Sequence, residues 1–376
     1  MLQRLQVSLF FDGEVLQSNC LVEILNGRIV HTEEISGIDA QAEQIQGLMA
    51  PGLIDVQVNG GGGALLNVAP SLETLDIMFN AHAQYGTTAM LPTLITDDVS
   101  VLEATADVIS AALAMKKPGI IGVHFEGPHL SVPKKGVHNA SYIRPISDRE
   151  MAVFCRQDLG QVMVTLAPEN VAPEDIERLV NCGVHVCLGH SNADFATVNQ
   201  ALQAGASGFT HLFNAMSAFQ SREPGMVGAA LLDDNSWCGL IVDGHHVHYD
   251  SARLAIKTKQ PGKIILVTDA MSPVGTDEQS FDLLGARVLR DGDRLNATTG
   301  ELAGSCLDMA SAVRNTVQHL QIPREEALRM ASLYPAQFLS IDKRYGHLKP
   351  GATADFVIFD DQLEVTQTWV NGARLV

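Results

Sequence analysis

Four ionisable residues stand at the tails of four short apolar runs, and their types suit hydrolysis assisted by a divalent cation. Glu126 follows Ile120–Phe125, His190 follows Val184–Leu188, His211 lies at the end of Gly208–Leu212, and Asp269 follows Ile264–Thr268. Polar groups at the ends of buried strands cost free energy unless something satisfies them. Two imidazoles and a carboxylate form a three-ligand divalent-metal set that leaves a position for water. Asp269, on a separate run, could take a proton from that water and return it to a leaving group, or could serve as a fourth ligand. Taken singly, each residue has a plainer reading: a hydrogen-bonded structural histidine, a buried ion-pair partner, a loop cap. Four of them at one edge are harder to explain that way.

Positioning these groups requires a scaffold, and the sequence suggests one. Eight short apolar runs recur between residues 52 and 268, starting at Gly52–Val58 and ending at Ile264–Thr268. Continuous apolar runs of this length are what parallel strands covered on both faces look like. Helix-spaced apolar residues separate them, at Leu72–Tyr85, Val99–Met115, Pro173–Cys182 and Phe195–Ala204. Eight strand–helix units predict a closed (β/α)8 TIM-like barrel, whose active site lies at the C-terminal strand ends. An open doubly wound sheet is the alternative, but no GxGxxG follows the first run. The ends of the chain are β-rich, with Asn26-Gly27 and Asn371-Gly372 marking tight turns. We therefore expect residues 1–50 and 345–376 to build a small β-sandwich domain, and 51–344 the barrel. Residues 280–296 read as an inserted hairpin around Arg290-Asp-Gly-Asp, and helices are expected over 305–319 and 323–340.

Composition narrows the partners. The chain has 376 residues, 46% hydrophobic and 18% charged, with a net charge of −18. Such an acidic chain is a poor binder of nucleic acid, although a local pocket can still be positive and take a small anion. Arg222, Lys134, Lys135 and the histidines of Asp243-Gly-His-His246-Val-His248 could supply that pocket; Lys134, Lys135 and His248 read equally well as solvated surface. No apolar run approaches the ~20 residues of a membrane span, and the first twelve residues do not read as a signal peptide. Six scattered cysteines are expected to be reduced thiols in a cytoplasmic protein.

Several motifs occurring together are similar to those of the N-acetylglucosamine-6-phosphate deacetylases of the amidohydrolase superfamily. They are Pro51-Gly-Leu-Ile-Asp-Val-Gln-Val-Asn-Gly, His124-Phe-Glu-Gly-Pro-His, Gly189-His-Ser, Thr210-His-Leu-Phe-Asn-Ala-Met, Asp243-Gly-His-His and Leu266-Val-Thr-Asp-Ala. The resemblance implies hydrolysis of the N-acetyl group of the sugar phosphate to acetate and glucosamine 6-phosphate. It implies Glu126, His190 and His211 as metal ligands, Asp269 as general base and then acid, and His138 at the acetyl carbonyl. Val137, Asn214, Ala215, Arg222, His246 and the Leu302-Ala303-Gly304 turn are implied as substrate contacts. It further implies a homodimer, or a tetramer, in which Arg222 reaches the neighbouring subunit's site. Many superfamily members carry His-x-His at the end of the first strand, where this chain has Gln57-Val-Asn59. One divalent metal per subunit is therefore expected, Zn²⁺ foremost, with Fe²⁺, Co²⁺ or Mn²⁺ as alternatives. His245 has no assigned place. Rival readings are a cyclic-amide hydrolase or nucleobase deaminase, an N-acetylgalactosamine-6-phosphate deacetylase, and a non-catalytic sugar-phosphate sensor.

Overall fold

A computed structural model describes residues 2–376. Its centre is an eight-stranded sheet in which each strand pairs in parallel with the next, in chain order from Leu53–Val58 to Ile264–Leu266. The first strand is buried at every position, which is why the sequence shows an unbroken apolar run there. The sheet closes through a parallel bridge between Val58 and Ala270 and through bonds from Asp269 N to Gln57 O and Asn59 N to Ala270 O. One apolar cluster joins strands and surrounding helices, as in a filled (β/α)8 barrel.

Helices form where the pattern and caps demand them. Val99–Ala114 carries its buried residues on one stripe and is capped by the Asp98 side chain at Ser100 N. Leu72–Ala83 is capped by Ser71 at Thr74 N. The two expected C-terminal helices differ slightly from their sequence limits. The first spans Met309–Gln318, with Asp308 as its cap, and the second is divided into Arg324–Ala331 and Leu333–Phe338 by the non-helical Ser332.

The chain termini form a second sheet of seven strands. The four N-terminal strands lie between residues 2 and 51, and the three C-terminal ones between 356 and 374. It is mixed, because Leu2–Phe11 runs parallel to Glu43–Pro51. Its far edge meets the loop that leads in from the barrel, just before Phe356–Phe359: Ile29 N bonds Ala352 O, and Gly351 N bonds Ile29 O. The curled sheet encloses its own core around Val7, Phe10, Val22, Met49, Phe356 and Trp369, while Phe11, Leu48, Val357 and Phe359 face the barrel.

Two expectations need correction. Three barrel strands end sooner than their apolar runs, at Phe209, Leu240 and Leu266. Two of these stop because the chain leaves extended geometry just beyond, with φ +33° at His211 and +53° at Asp269. Nor are all cysteines free thiols. Cys155 and Cys182, each terminating a barrel helix, form a disulfide with Cα atoms 5.3 Å apart. Among the described residues, no helix is long and apolar enough to cross a membrane.

Candidate metal centre and sugar pocket

At the C-terminal mouth of the barrel lies a cavity of about 160 Å³. Glu126 enters it as the last residue of its strand. His190, His211 and Asp269 enter just past the ends of theirs, each at positive φ. That backbone region costs a non-glycine residue roughly 1–3 kcal/mol, and such strain collects at functional sites. Here it turns three polar side chains into the mouth instead of letting them alternate along a strand.

The donor atoms of Glu126, His190 and His211 converge. Glu126 Oε1 lies 3.2 Å from His190 Nε2 and 3.0 Å from His211 Nε2, and the two imidazole nitrogens are 3.0 Å apart. Ligands ~2.0–2.1 Å from a tetrahedral Zn²⁺ are ~3.3 Å from one another, so the spacing suits one cation. The tautomer supports this. His190 Nδ1 bonds the carbonyl oxygen of Lys134 at 2.9 Å. A carbonyl only accepts, so Nδ1 carries the proton and the Nε2 lone pair faces the carboxylate. Two lone pairs at that range repel unless a cation lies between them. Holding a ligand's remote nitrogen on a carbonyl is also how metal-binding histidines are oriented.

Burial and charge set the protonation states. Burial acts to raise the Glu126 carboxyl, but whenever His190 and His211 carry their Nε2 protons, hydrogen bonds and charge from them outweigh it and hold the group well below its ordinary value. Burial, and then the Glu126 charge, push Asp269 up to about 6. His138 is pushed down to about 3 by burial and then by His190, so it is neutral. Its Nδ1 accepts from the backbone N–H of Thr96 at 3.4 Å. Thr96 Oγ1 lies nearer the same Nδ1, at 2.9 Å, and when it donates there as well Nε2 is the N–H donor. His138 also groups with Glu126 and His190 as a possible ligand, but a protonated Nε2 and an engaged Nδ1 suit a donor better than a metal ligand.

The amides of the first strand tie the cluster together. Gln57 Nε2 donates to both Glu126 oxygens at 3.3 Å and to Asp269 Oδ1 at 3.2 Å, and Asn59 Nδ2 donates to Asp269 Oδ1 at 2.6 Å. Sequence reading marked these positions only as the missing His-x-His. Their roles as carboxylate donors could have been suspected from the acids they face, had the closure of strand eight on strand one been known.

The sugar side of the cavity comes from loops. Val137, Asn214, Ala215, His246, Leu302 and Gly304 line it, together with Ile95, Gly136 and Met271, which sequence reading did not single out. Ala303 is buried in the core beneath the inserted hairpin and does not line the cavity. His246 Nδ1 is held by Asp243 at 2.6 Å. Gly304, at φ +62°, permits the turn: a Cβ there would lie 2.6 Å from the Met271 side chain and 2.8 Å from Asp269 O. Arg222 is exposed and outside the cavity. Lys134 and Lys135 are half-buried and outside it too, and His248 is exposed.

Residues 48–375 match the amidohydrolase family. The chain belongs to it. A relative from Shewanella, named N-acetylgalactosamine-6-phosphate deacetylase, is 48% identical over 96% of this chain and 92% of its own. One from Haemophilus influenzae, named N-acetylglucosamine-6-phosphate deacetylase, is 35% identical over 92% and 93%. The solved structure of N-acetylglucosamine-6-phosphate deacetylase from Pasteurella multocida superposes with a TM-score of 0.96 at 35% identity, covering 100% of this chain and 99% of the other. Divalent-metal dependence is typical of this family, and this amidohydrolase carries a Glu/His cluster fitted to such an ion.

Proposed function

We propose that this amidohydrolase cleaves the N-acetyl group of N-acetylglucosamine 6-phosphate, releasing acetate and glucosamine 6-phosphate. The observation that carries the reading is Asp269, tethered by Asn59 and Gln57 beside the Glu126–His190–His211 cluster. A divalent cation held by that cluster, Zn²⁺ in our reading, supplies Lewis acidity. Asp269 takes a proton from the water whose oxygen attacks the amide carbon. His138 donates its Nε2 hydrogen to the carbonyl oxygen as negative charge grows there. Asp269 then returns the proton to the nitrogen as the C–N bond breaks. A sensor of the same fold needs no such proton carrier.

Asn214, Ala215, His246 and the Leu302–Gly304 turn supply the walls that hold the sugar phosphate. Among the described residues, no lysine or arginine lines the cavity. We therefore place Arg222 of a second copy at the phosphate, in a homodimer. Its loop adjoins an exposed apolar groove formed by Phe213, Phe219, Leu232 and Leu254, which suits burial between two copies. A phosphate dianion does not cross a bilayer, and we place the enzyme in the cytoplasm.

The 48% identity to a galactosamine-type deacetylase favours a second reading, the C4 epimer as substrate. Acetate release from both phosphorylated sugars and from unphosphorylated N-acetylglucosamine, with metal content measured on the same sample, tests both. Turnover on the glucosamine phosphate at the higher kcat/KM supports the first reading. A preference for the galactosamine phosphate transfers the assignment to its epimer, and no turnover by metal-replete protein defeats both.

A further inference from the structure

His245 has no place in the cavity, yet it bonds the element that covers it. Its Nε2 lies 2.8 Å from Asp293 Oδ1. Asp293 sits in the turn between Ala286–Asp291 and Arg294–Ala297, two strands of the inserted three-stranded sheet. The last of these strands carries the cavity turn, because Ala303 N bonds Leu295 O and Leu302 bridges Asn296. Leu302 and Gly304 then form one wall of the sugar side.

The opposite end of the circuit is equally direct. Asp243 Oδ1 accepts from the backbone N–H groups of both His245 and His246 at 2.8 Å, and its Oδ2 holds His246 Nδ1. His246 lines the same cavity. A continuous path thus runs from Leu302 through the Arg294–Ala297 strand, Asp293, His245 and Asp243 to His246. The base of the inserted sheet is fixed by apolar packing of Phe281, Val288 and Leu295 near Met271. Among the described residues, His245–Asp293 is the side-chain hydrogen bond that joins its tip to the loop after the seventh strand.

We propose that His245 and Asp293 form a clasp that sets the position of the Leu302–Gly304 turn over His246. His245 is a positioning residue for the sugar side of the site and not for the chemistry at Asp269. The proposal deepens the sugar-phosphate reading and rests on it for its kinetic consequence. Both residues are exposed, their side chains by 31% and 75%, so the effect should be modest.

The test uses the full-length, metal-replete enzyme with His245→Leu, Asp293→Ala and the double variant. Amide hydrogen exchange across residues 294–304 of the ligand-free enzyme should speed up about two- to fivefold in each single variant. KM for N-acetylglucosamine 6-phosphate should rise by a similar factor while kcat stays within about twofold. The double variant should be no worse than either single one, since both remove the same bond. Unchanged exchange in the single variants, multiplicative effects in the double, or a fall in kcat at constant KM would overturn the clasp. If the wild type turns over neither epimer, the proposed substrate fails, and the exchange measurement still decides whether the clasp exists.

Discussion

Asn59 holds Asp269 by a 2.6 Å hydrogen bond from its side-chain amide, and Gln57, two residues earlier, spans from Asp269 to Glu126. The two amides thus act on the carboxylates themselves. Asn59 favours the ionised form of Asp269, against burial and the Glu126 charge that push it up to about 6. Removing that donor raises Asp269 further. A base must be ionised to act, so the acid limb of the rate profile moves to higher pH. With that limb displaced by roughly one pH unit, Asn59→Leu should lose about twofold in kcat/KM at pH 7, close to tenfold at pH 5 and almost nothing at pH 8.5. Paired pH profiles of wild type and variant check this, and identical acid limbs would contradict it.

Asp269→Asn removes the proton carrier while keeping the shape and one acceptor for Asn59. General acid–base groups contribute roughly 10²–10⁴-fold, and an unactivated amide leans heavily on both proton transfers. Activity should fall by about 10³-fold, with metal content per chain unchanged. Acetate release alongside elemental analysis measures both. A variant within tenfold of wild type would remove Asp269 from the mechanism.

Strand runs were legible in the sequence because burial on both faces makes them continuous and apolar; Leu53–Val58 is buried at all six positions. Strand ends were less so. Thr210 and His211 continue the run in composition, yet φ +33° at His211 ends the strand, and no residue type announces that angle. Glu126, His190, His211 and Asp269 stood out because charge at the tail of an apolar run is costly. Gln57 and Asn59 did not, since an amide serves equally as donor, acceptor or ligand until its neighbours are known. Cys155 and Cys182 lie 27 residues apart with no motif between them, and only the packing of two barrel helices brings them together.

Asp55 predicts a pH-dependent stability. It is buried beneath the closure of the barrel, where it accepts from Thr268 Oγ1 and from the Gln57 and Thr268 backbone. Burial outweighs those bonds and pushes it up to about 7. An acid raised in the folded state favours folding most below its unfolded value near 4. That contribution is lost as pH rises through about 7, a swing of roughly 4 kcal/mol at most. Asp55→Asn keeps an acceptor and cannot ionise. Its Tm relative to wild type should therefore rise between pH 4.5 and pH 8. A Tm difference independent of pH would show that Asp55 is ionised throughout.

Arg222 tests the assembly. It is exposed in its own chain and absent from its own cavity, beside a groove in which Phe219, Leu232 and Leu254 are 66%, 63% and 63% exposed. If it serves the partner's site, Arg222→Ala should raise KM for the phosphorylated sugar by about 10- to 100-fold. That is the range expected from one charge-assisted contact of roughly 1.5–3 kcal/mol. Its Tm should be unchanged. Mixing Arg222→Ala with Asp269→Asn subunits is more decisive. A hybrid dimer contains one site with Asp269 from one chain and Arg222 from the other, and a second site lacking both. After subunit exchange, such a mixture should regain wild-type KM with a fraction of wild-type kcat. Arg222 acting within its own chain gives no recovery, because every site in the hybrid would still lack one of the two residues.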